Sequence, residues 1–446
     1  MLPEPPAAFP KDLRAFLKGE TGREPDLPAA SLFSGAGVGD WGFRKAGFDF
    51  VAFLEKDPKR ARVIELNFPE SEVVIGPAEE KLDAFVEAAS RHGSLRLLSV
   101  TPPCAGLSPA GQWKSGSPWS KSPSSEARNL LVFAAAKAVN RLRPVFVFIE
   151  NVRGFLTRRI SVDDGESPMP PLRVFLDRVE GYHAFVDLTQ TADYGVPQRR
   201  KRFVALFTRK DVFPDNPAKG IFPDRTHDRK GANELERWPW AVDTLADYPL
   251  LDGRNRELAR DPRDPLHVVP SYTRMRYDWV SRIPPHSGKS AYENAGCEKC
   301  GRRDLPPWIA RCGRCRAVVR GRPRIYDAPG RVRLIKGQHT SYRRMSSDLP
   351  VPTITTNNGH YGGDTKIHPW QNRVLSVREV LDHQTVPRDF NWPTYRGRPW
   401  VTLIRESVGE SVPPWFTFRI GQRLRDLLRD PVSEHLSVGP RGKILQ

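Results

Sequence analysis

The chain has 446 residues, 39% hydrophobic and 10% aromatic, enough apolar content for a large core or two domains and too much for general disorder. Its 70 Lys and Arg against 52 Asp and Glu leave a formal charge of +18, which suggests a polyanionic partner such as nucleic acid. No apolar run approaches the roughly 18 to 20 residues of a membrane span, and the proline-rich start Met1-Leu2-Pro3-Glu4-Pro5-Pro6 lacks the apolar core of a signal peptide, so the expectation is a soluble, membrane-free, cytoplasmic protein.

Residues 1–27 read as a mobile leader with one short amphipathic helix near Lys11 to Lys18. Leu27 to Phe33 follows as a strand, and Ser34-Gly35-Ala36-Gly37-Val38-Gly39-Asp40-Trp41-Gly42-Phe43 as a glycine-rich turn opening a helix. Glycines there allow a tight turn and close approach of backbone to a ligand. A second strand, Phe50 to Leu54, ends at Glu55. Its carboxylate either accepts hydrogen bonds from a ribose diol or merely caps the strand.

The apolar run Leu95 to Ser99 leads into Val100-Thr101-Pro102-Pro103-Cys104-Ala105-Gly106. Two prolines cannot donate to a sheet ladder, so the chain must leave the sheet just before Cys104. A thiol on such a loop is either a nucleophile at the ligand crevice or a buried structural cysteine. Glu126 to Leu142 has helical spacing of apolar residues and leads to a buried strand, Val145 to Ile149, which ends at Glu150-Asn151-Val152. A carboxyl group after so apolar a strand is exposed at the sheet's carboxyl edge or held neutral. Tyr194-Gly195-Val196-Pro197 then turns into Gln198-Arg199-Arg200-Lys201-Arg202 and a strand Phe203 to Phe207. Alternation sends Arg200 and Arg202 to one face, where they could clamp an anion or stand in solvent.

From about Asp215 the alternation of strands and helices stops. Cys297-x2-Cys300 and Cys312-x2-Cys315 are paired knuckles whose four thiolates can converge on a structural zinc; two redox CxxC pairs are the alternative. With zinc on those four, Cys104 is the one cysteine left over, and nothing suggests a disulfide framework. Arg302, Arg303, Arg311, Arg314, Arg316, Arg320, Arg322 and Arg324 crowd the same stretch and read as a surface for a phosphate backbone. Pattern returns after about Ser346, with a helix-like Ser376 to His383 and a last helix from Trp415 to Leu428. Residues past Pro431 read as a loose tail.

Phe33-Ser34-Gly35-Ala36-Gly37, Pro102-Pro103-Cys104, Glu150-Asn151-Val152, Gln198-Arg199-Arg200-Lys201-Arg202, Arg378-Glu379 with Gln384, Pro387 and Phe390, and Gly409-Glu410-Ser411-Val412-Pro413-Pro414 stand in this order. The set resembles the DNA (cytosine-5)-methyltransferases over roughly residues 28–210 and 346–430. The resemblance implies an α/β, Rossmann-like S-adenosylmethionine-dependent catalytic domain built from 28–213 and 346–431. A smaller, irregular target-recognition domain, 214–345, would carry the zinc ribbon 297–315, with a leader 1–27 and a tail 432–446 outside. It implies Cys104 as the nucleophile on carbon 6 of cytosine, Glu150 as the acid at ring nitrogen 3, and Arg202 with Arg200 as anion stabilisers. Phe33, Gly35, Gly37, Gly39, Glu55, Pro103, Glu410 and Ser411 would bind the cofactor. The implied partner is double-stranded DNA with its target base flipped out, in a nucleoid-associated cytoplasmic protein that can accompany a cognate restriction endonuclease. A noncatalytic zinc-ribbon DNA-binding protein and an RNA cytosine-5 methyltransferase are the alternatives. Three positions depart from the family pattern. Ala105 stands where Gln is usual, Ile75 to Glu80 lacks the usual Asp, and Glu410 replaces an Asn.

Overall fold

The computed structural model describes residues 3–103, 107, 131–160, 167–215, 220–294, 296–328, 331–335, 340–429 and 443–444. Cys104, Ala105 and the first turns of the helix read from Glu126 lie outside the described residues. Five parallel strands, β1 (Leu27–Leu32), β2 (Phe48–Glu55), β3 (Glu72–Ile75), β4 (Leu97–Val100) and β5 (Phe146–Asn151), lie in the order β3-β2-β1-β4-β5. Beyond β5, β7 (Lys201–Arg209) joins antiparallel, and β6 (Tyr182–Gln190) joins β7 antiparallel. At the outer edge Lys443–Ile444 pairs with Val186 and Phe185, so part of the stretch read as a loose tail is sheet.

Both faces of this sheet are covered, which is why its strands read as continuous apolar runs. On β5, Phe146 and Phe148 enter one core, while Val147 and Ile149 enter the other with α4 (Ala78–Ser90) and α5 (Leu131–Leu142). The first core is closed by α2 (Val38–Lys45) and by three helices of the returning chain: α6 (Val377–His383), α7 (Val401–Glu410) and α8 (Pro414–Arg429). α2 and α8 touch at Gly42, where a Cβ would lie 2.0 Å from the Pro414 carbonyl oxygen and 2.1 Å from Thr417 Oγ1. No other residue fits that crossing. Strand order reverses between β1 and β4, and at such a switch point the carboxyl ends of the strands open into a crevice.

The short helix read near Lys11 to Lys18 forms, but the segment that carries it is packed on the core rather than a mobile leader. α1 (Lys11–Lys18) buries Leu13, Phe16 and Leu17, and the Phe16 ring packs 5.3 Å from Trp415 and 5.1 Å from Phe418. Spacing of i, i+3 and i+4 puts the three on one face, and burying that face outweighs the leader's turn-like composition.

The returning chain is locked to the sheet by buried polar groups. Ser376 caps α6 in a capping box with Glu379, and Glu379 also takes two 2.6 Å hydrogen bonds from the Arg373 guanidinium. Gln198 bridges the halves, donating to Gln384 Oε1 at 2.7 Å and accepting from the Ile354 amide at 3.0 Å. Val351–Pro352 pairs with Gln198–Arg199 as a short parallel ladder.

Between the halves, the chain forms short ladders and a separate aromatic cluster around Trp279, Tyr292 and Tyr342. Two of the arginines read as phosphate ligands are buried struts instead. Arg322 is fully buried and donates to the carbonyls of Asn294, Leu305, Pro306 and Ile309, fastening the cysteine ribbon to its base. Arg324 is likewise buried against the carbonyls of Arg320 and Arg322. Backbone carbonyls left without ladder partners in so irregular a segment need donors, and the forked guanidinium supplies several at once. Arg302, Arg303, Arg311, Arg314, Arg316 and Arg320 are exposed.

Candidate active site and zinc centre

A cavity of about 1460 Å³ opens at the carboxyl ends of β1, β2, β4 and β5. Its first wall is the turn after β1. Phe33 holds φ at 63°, a conformation costly for a bulky residue, and its carbonyl accepts a 3.0 Å hydrogen bond from Thr101 Oγ1. Gly35 and Gly37 are also left-handed, and a Cβ on Gly37 would press to 3.0 Å from the Phe68 ring. Glu55 grips this turn, one carboxylate oxygen accepting from the Gly35 amide at 2.8 Å and the other from the Asp57 amide at 2.9 Å. Burial raises its pKa, opposed by those amides and by Arg60. Gly39 lies against Val412, and Thr417 donates to its carbonyl at 2.6 Å.

Glu410 also lines the cavity, and its carboxylate is held 2.7 Å from Arg60 Nη2 of α3 (Pro58–Asn67). The position departing from the family pattern is therefore neutralised by a partner. Ser411 accepts from Gln384 Nε2 at both its carbonyl and its hydroxyl. Gly76, Pro77 and Glu79 line the wall where the usual Asp is missing.

The second half of the cavity is the end of β5. Glu150 is buried, and Arg202 Nε lies 3.1 Å from its Oε1. The N–H does not point along that line, so Oε1 has an ionic neighbour but no hydrogen bond among the described residues. Burial raises the Glu150 pKa against the pull of Arg202 and then Arg200. Arg200 is held differently from Arg202: its guanidinium donates to the carbonyls of Ile354, Gly409 and Glu410 at 2.9, 3.3 and 3.2 Å. It lines the cavity while clasping the returning chain. Asn151 Nδ2 donates to the Pro102 carbonyl at 2.9 Å, and this bond sets the two prolines, and hence the start of the Cys104 loop, beside Glu150.

Asp40 and Lys366 are among the cavity residues that the sequence reading did not single out. Asp40, in the glycine turn, is buried with its Oδ2 accepting from Ser31 Oγ at 2.9 Å, and burial pushes its pKa up to about 6. Being inside the glycine run could have flagged it. Lys366 is buried on the short strand Thr365–Ile367, and no motif in the sequence marks it.

The four ribbon cysteines converge away from this cavity. Their sulfurs all lie within 4.8 Å of one another, with Cys297–Cys315 at 3.5 Å and Cys300–Cys312 at 3.7 Å. Four ligands at the usual zinc–sulfur distance of about 2.3 Å stand roughly 3.8 Å apart on a tetrahedron, so the set fits zinc with little adjustment. Both knuckles fold alike: the Gly301 amide returns to the Cys297 carbonyl and the Arg316 amide to that of Cys312, each at 2.9 Å and each donor residue left-handed. Amide hydrogen bonds, that of Cys315 foremost, draw the Cys312 thiol down, while at Cys315 the Ala317 amide is outweighed by burial and the neighbouring sulfurs, which push that thiol up, so the thiolate a metal needs is favoured first at Cys312.

The profile of the C-5 cytosine-specific DNA methylases matches residues 27–426. The chain belongs to that family. Its curated relatives include the type II methyltransferase M1.HgaI of Avibacterium volantium, 27% identical over 402 residues covering 87% of this chain and 95% of that one. The type II methyltransferase M.XorII of Xanthomonas oryzae pv. oryzae is 29% identical over 444 residues, covering 93% and 88%. In shape, the chain resembles a candidate DNA modification methyltransferase encoded within an E. coli prophage, with TM-score 0.56 at 18% identity, covering 91% of this chain and all of that one. The protein is thus a DNA (cytosine-5)-methyltransferase with a mixed α/β fold and a mostly parallel central sheet, and methylation of DNA cytosine from S-adenosylmethionine is its activity. No helix among the described residues is long and apolar enough to cross a membrane.

Proposed function

We propose that this methyltransferase acts on a cytosine flipped out of duplex DNA into the cavity at the sheet's carboxyl edge, with 214–345 as its recognition segment and zinc in the ribbon. The observation that carries this reading is the meeting, in one cavity, of the glycine turn with Glu55, the Pro102-Pro103 loop and the Glu150–Arg202 pair. Carbon 5 of cytosine is a poor nucleophile. Addition of the Cys104 thiolate at carbon 6 makes it an enamine carbon able to accept a methyl group. Loss of the carbon 5 proton then expels the thiolate. Glu150, whose pKa burial raises, holds a proton that it can share with ring nitrogen 3 as the ring takes up charge. Arg202 supplies compensating positive charge and positions Glu150. Bound S-adenosylmethionine supplies the methyl group on its sulfonium; Phe33, Gly35, Gly37, Gly39, Glu55, Pro103, Glu410 and Ser411 are the residues proposed to hold it. Glu55 keeps lone pairs beyond the two amide contacts, enough for a diol.

In the ribbon, four thiolates complete a tetrahedral shell and leave no open position for water, which makes the metal structural. The six exposed arginines around it suit contact with phosphates rather than base edges. The type II relatives make a cognate restriction endonuclease a natural companion, and a nucleoid location follows from the substrate. Bisulfite sequencing of host DNA expressing the wild type, beside the Cys104→Ser variant, tests the reading. Methylated cytosines in one sequence context, absent with the variant, support it; methylation at a wild-type level with the variant refutes it.

A further inference from the structure

Lys366 lines the same cavity but has no part in the chemistry above. It is 6% exposed, and its ammonium donates to Thr355 Oγ1 at 2.8 Å and to the Asn357 carbonyl at 3.0 Å. Both acceptors are neutral. Among the described residues no carboxylate lies within 4.0 Å of it, in contrast to Arg373 and Arg378, which sit on Glu379 and Asp264. A buried cation facing a cavity without a counter-ion is costly unless the cavity's occupant carries the opposite charge. An ammonium has three protons to donate, and two are used.

The surroundings leave room for that occupant. Gly362 and Gly363 line the cavity beside Lys366, and a Cβ on Gly363 would stand 3.2 Å from the ammonium nitrogen. Burial draws the Lys366 pKa down to about 8; Asp364 opposes this and Arg405 adds to it. Lys366 in turn helps to depress His360. Arg405 is itself buried and donates to the side-chain oxygen of Asn358 and to the main-chain carbonyls of Val268 and Leu375. With Lys366 and Arg405 against Asp364, this corner of the cavity is net positive and suits an anion.

We propose that Lys366 binds a backbone phosphate of the DNA strand that carries the target cytosine, anchoring the flipped nucleotide from the returning chain. The inference rests on the cavity being where that nucleotide enters. The competing anion is the carboxylate of the cofactor's methionine moiety. The phosphate is favoured because six of the eight residues proposed to hold the cofactor stand at or just past the ends of β1, β2 and β4, and the two from the returning chain, Glu410 and Ser411, stand at the end of α7, whereas Lys366 is held by Thr355 and Asn357.

Methylphosphonate scanning tests this with the whole enzyme. Duplexes carrying one uncharged linkage at a time around the target cytosine are titrated into wild type, Lys366→Met and Lys366→Arg. One substituted linkage in the target strand should weaken wild-type binding by about ten-fold, the effect of losing a charge-assisted hydrogen bond. The same linkage should change Lys366→Met binding less than about two-fold, and Lys366→Arg should regain sensitivity. The slope of log affinity against log salt should fall by about 0.9 in Lys366→Met, while cofactor affinity stays at the wild-type value. Equal sensitivity of wild type and Lys366→Met at every linkage overturns the assignment, as does a Lys366→Met enzyme that loses cofactor rather than DNA. If no linkage near the target matters to the wild type, the cavity reading falls and the proposal with it. Should Lys366→Met fail to fold, Gly363→Ala, which crowds the ammonium, must blunt the same linkage's effect or the proposal is wrong.

Discussion

Glu379→Gln separates a buried charge from the helix cap that shares its side chain. In the native protein Arg373 and Glu379 have no exposed side-chain surface, and both guanidinium nitrogens of the fork reach the carboxylate at 2.6 Å. Glu379 Oε2 also accepts from the Ser376 amide at 2.7 Å. Glutamine can keep that last bond, because a capping box works with either residue. What it cannot keep is the counter-charge: its amide nitrogen faces the guanidinium with donor against donor. Arg373 Nη1 still reaches the oxygen that stays in the Oε2 position, beside its bond to the Val374 carbonyl and that of Nε to Gln371 Oε1, but Nη2 loses its acceptor and the guanidinium its counter-charge. Leaving one member of a buried pair uncompensated costs about 3–5 kcal/mol, a large share of the roughly 5–15 kcal/mol that hold a typical fold together.

Urea unfolding followed by fluorescence measures that loss, and pH gives a second reading. Burial alone would raise the Glu379 pKa, but Arg373 more than reverses this and holds it far below the usual carboxylate range. A depressed folded-state pKa contributes stability that is complete above the unfolded value, about 4.3, and is lost as pH falls toward the folded one. The wild type should therefore lose its advantage over Glu379→Gln progressively below about pH 4. Arg373→Met with Glu379→Leu should recover most of the stability. A deficit under about 1 kcal/mol at neutral pH, or a gap that ignores acid, refutes the reasoning.

Glu55→Ala should weaken S-adenosylmethionine binding by about 1–3 kcal/mol, since two turn amides also lose their acceptor; unchanged affinity by calorimetry would displace the cofactor site from this turn. Glu150→Gln should slow methyl transfer by about 10²–10⁴-fold with cofactor affinity intact. Because the wild-type acid must keep its proton, and its pKa is raised, the wild-type rate should fall as pH rises through that pKa; a rate with the same alkaline limb in the variant would assign that limb to another group. Cys312→Ser should release the zinc, measured by elemental analysis, and weaken DNA binding with a shallower salt dependence while the sheet domain unfolds at its former temperature; a variant that methylates normally removes the ribbon from recognition.

The parts of the fold legible in the sequence are those where one physical rule acts alone. Strand β5 announced itself because both of its faces are buried, and α6 because Ser376 and Glu379 form a local capping box. Phe33 was placed inside a strand because nothing in an apolar run shows that its last member turns left-handed; the turn's closure on Glu55 imposes that. Arg322 could not be told from its exposed neighbours, since only the folded segment reveals which guanidinium faces four carbonyls. Lys366 is the same failure in reverse: its meaning lies in having no carboxylate within 4.0 Å among the described residues, and a sequence shows no such distance. Arg60 was likewise invisible as the partner of Glu410, the two being joined only by the meeting of α3 with the end of α7.

The crossing of α2 and α8 has a consequence for how the enzyme comes into being. Gly39 meets Val412, Gly42 meets Pro414 and Thr417, and Arg200 reaches Ile354, Gly409 and Glu410, so the cofactor turn is braced by residues made roughly 370 positions later. On a ribosome adding about 5–20 residues per second, that separation is on the order of tens of seconds. For most of that interval, from residue 150 onward, the nascent chain holds both Glu55 and Glu150 yet lacks the wall that completes their cavity. A product cut short before α8 should therefore lack methyltransferase activity, because its cofactor turn has nothing to brace it.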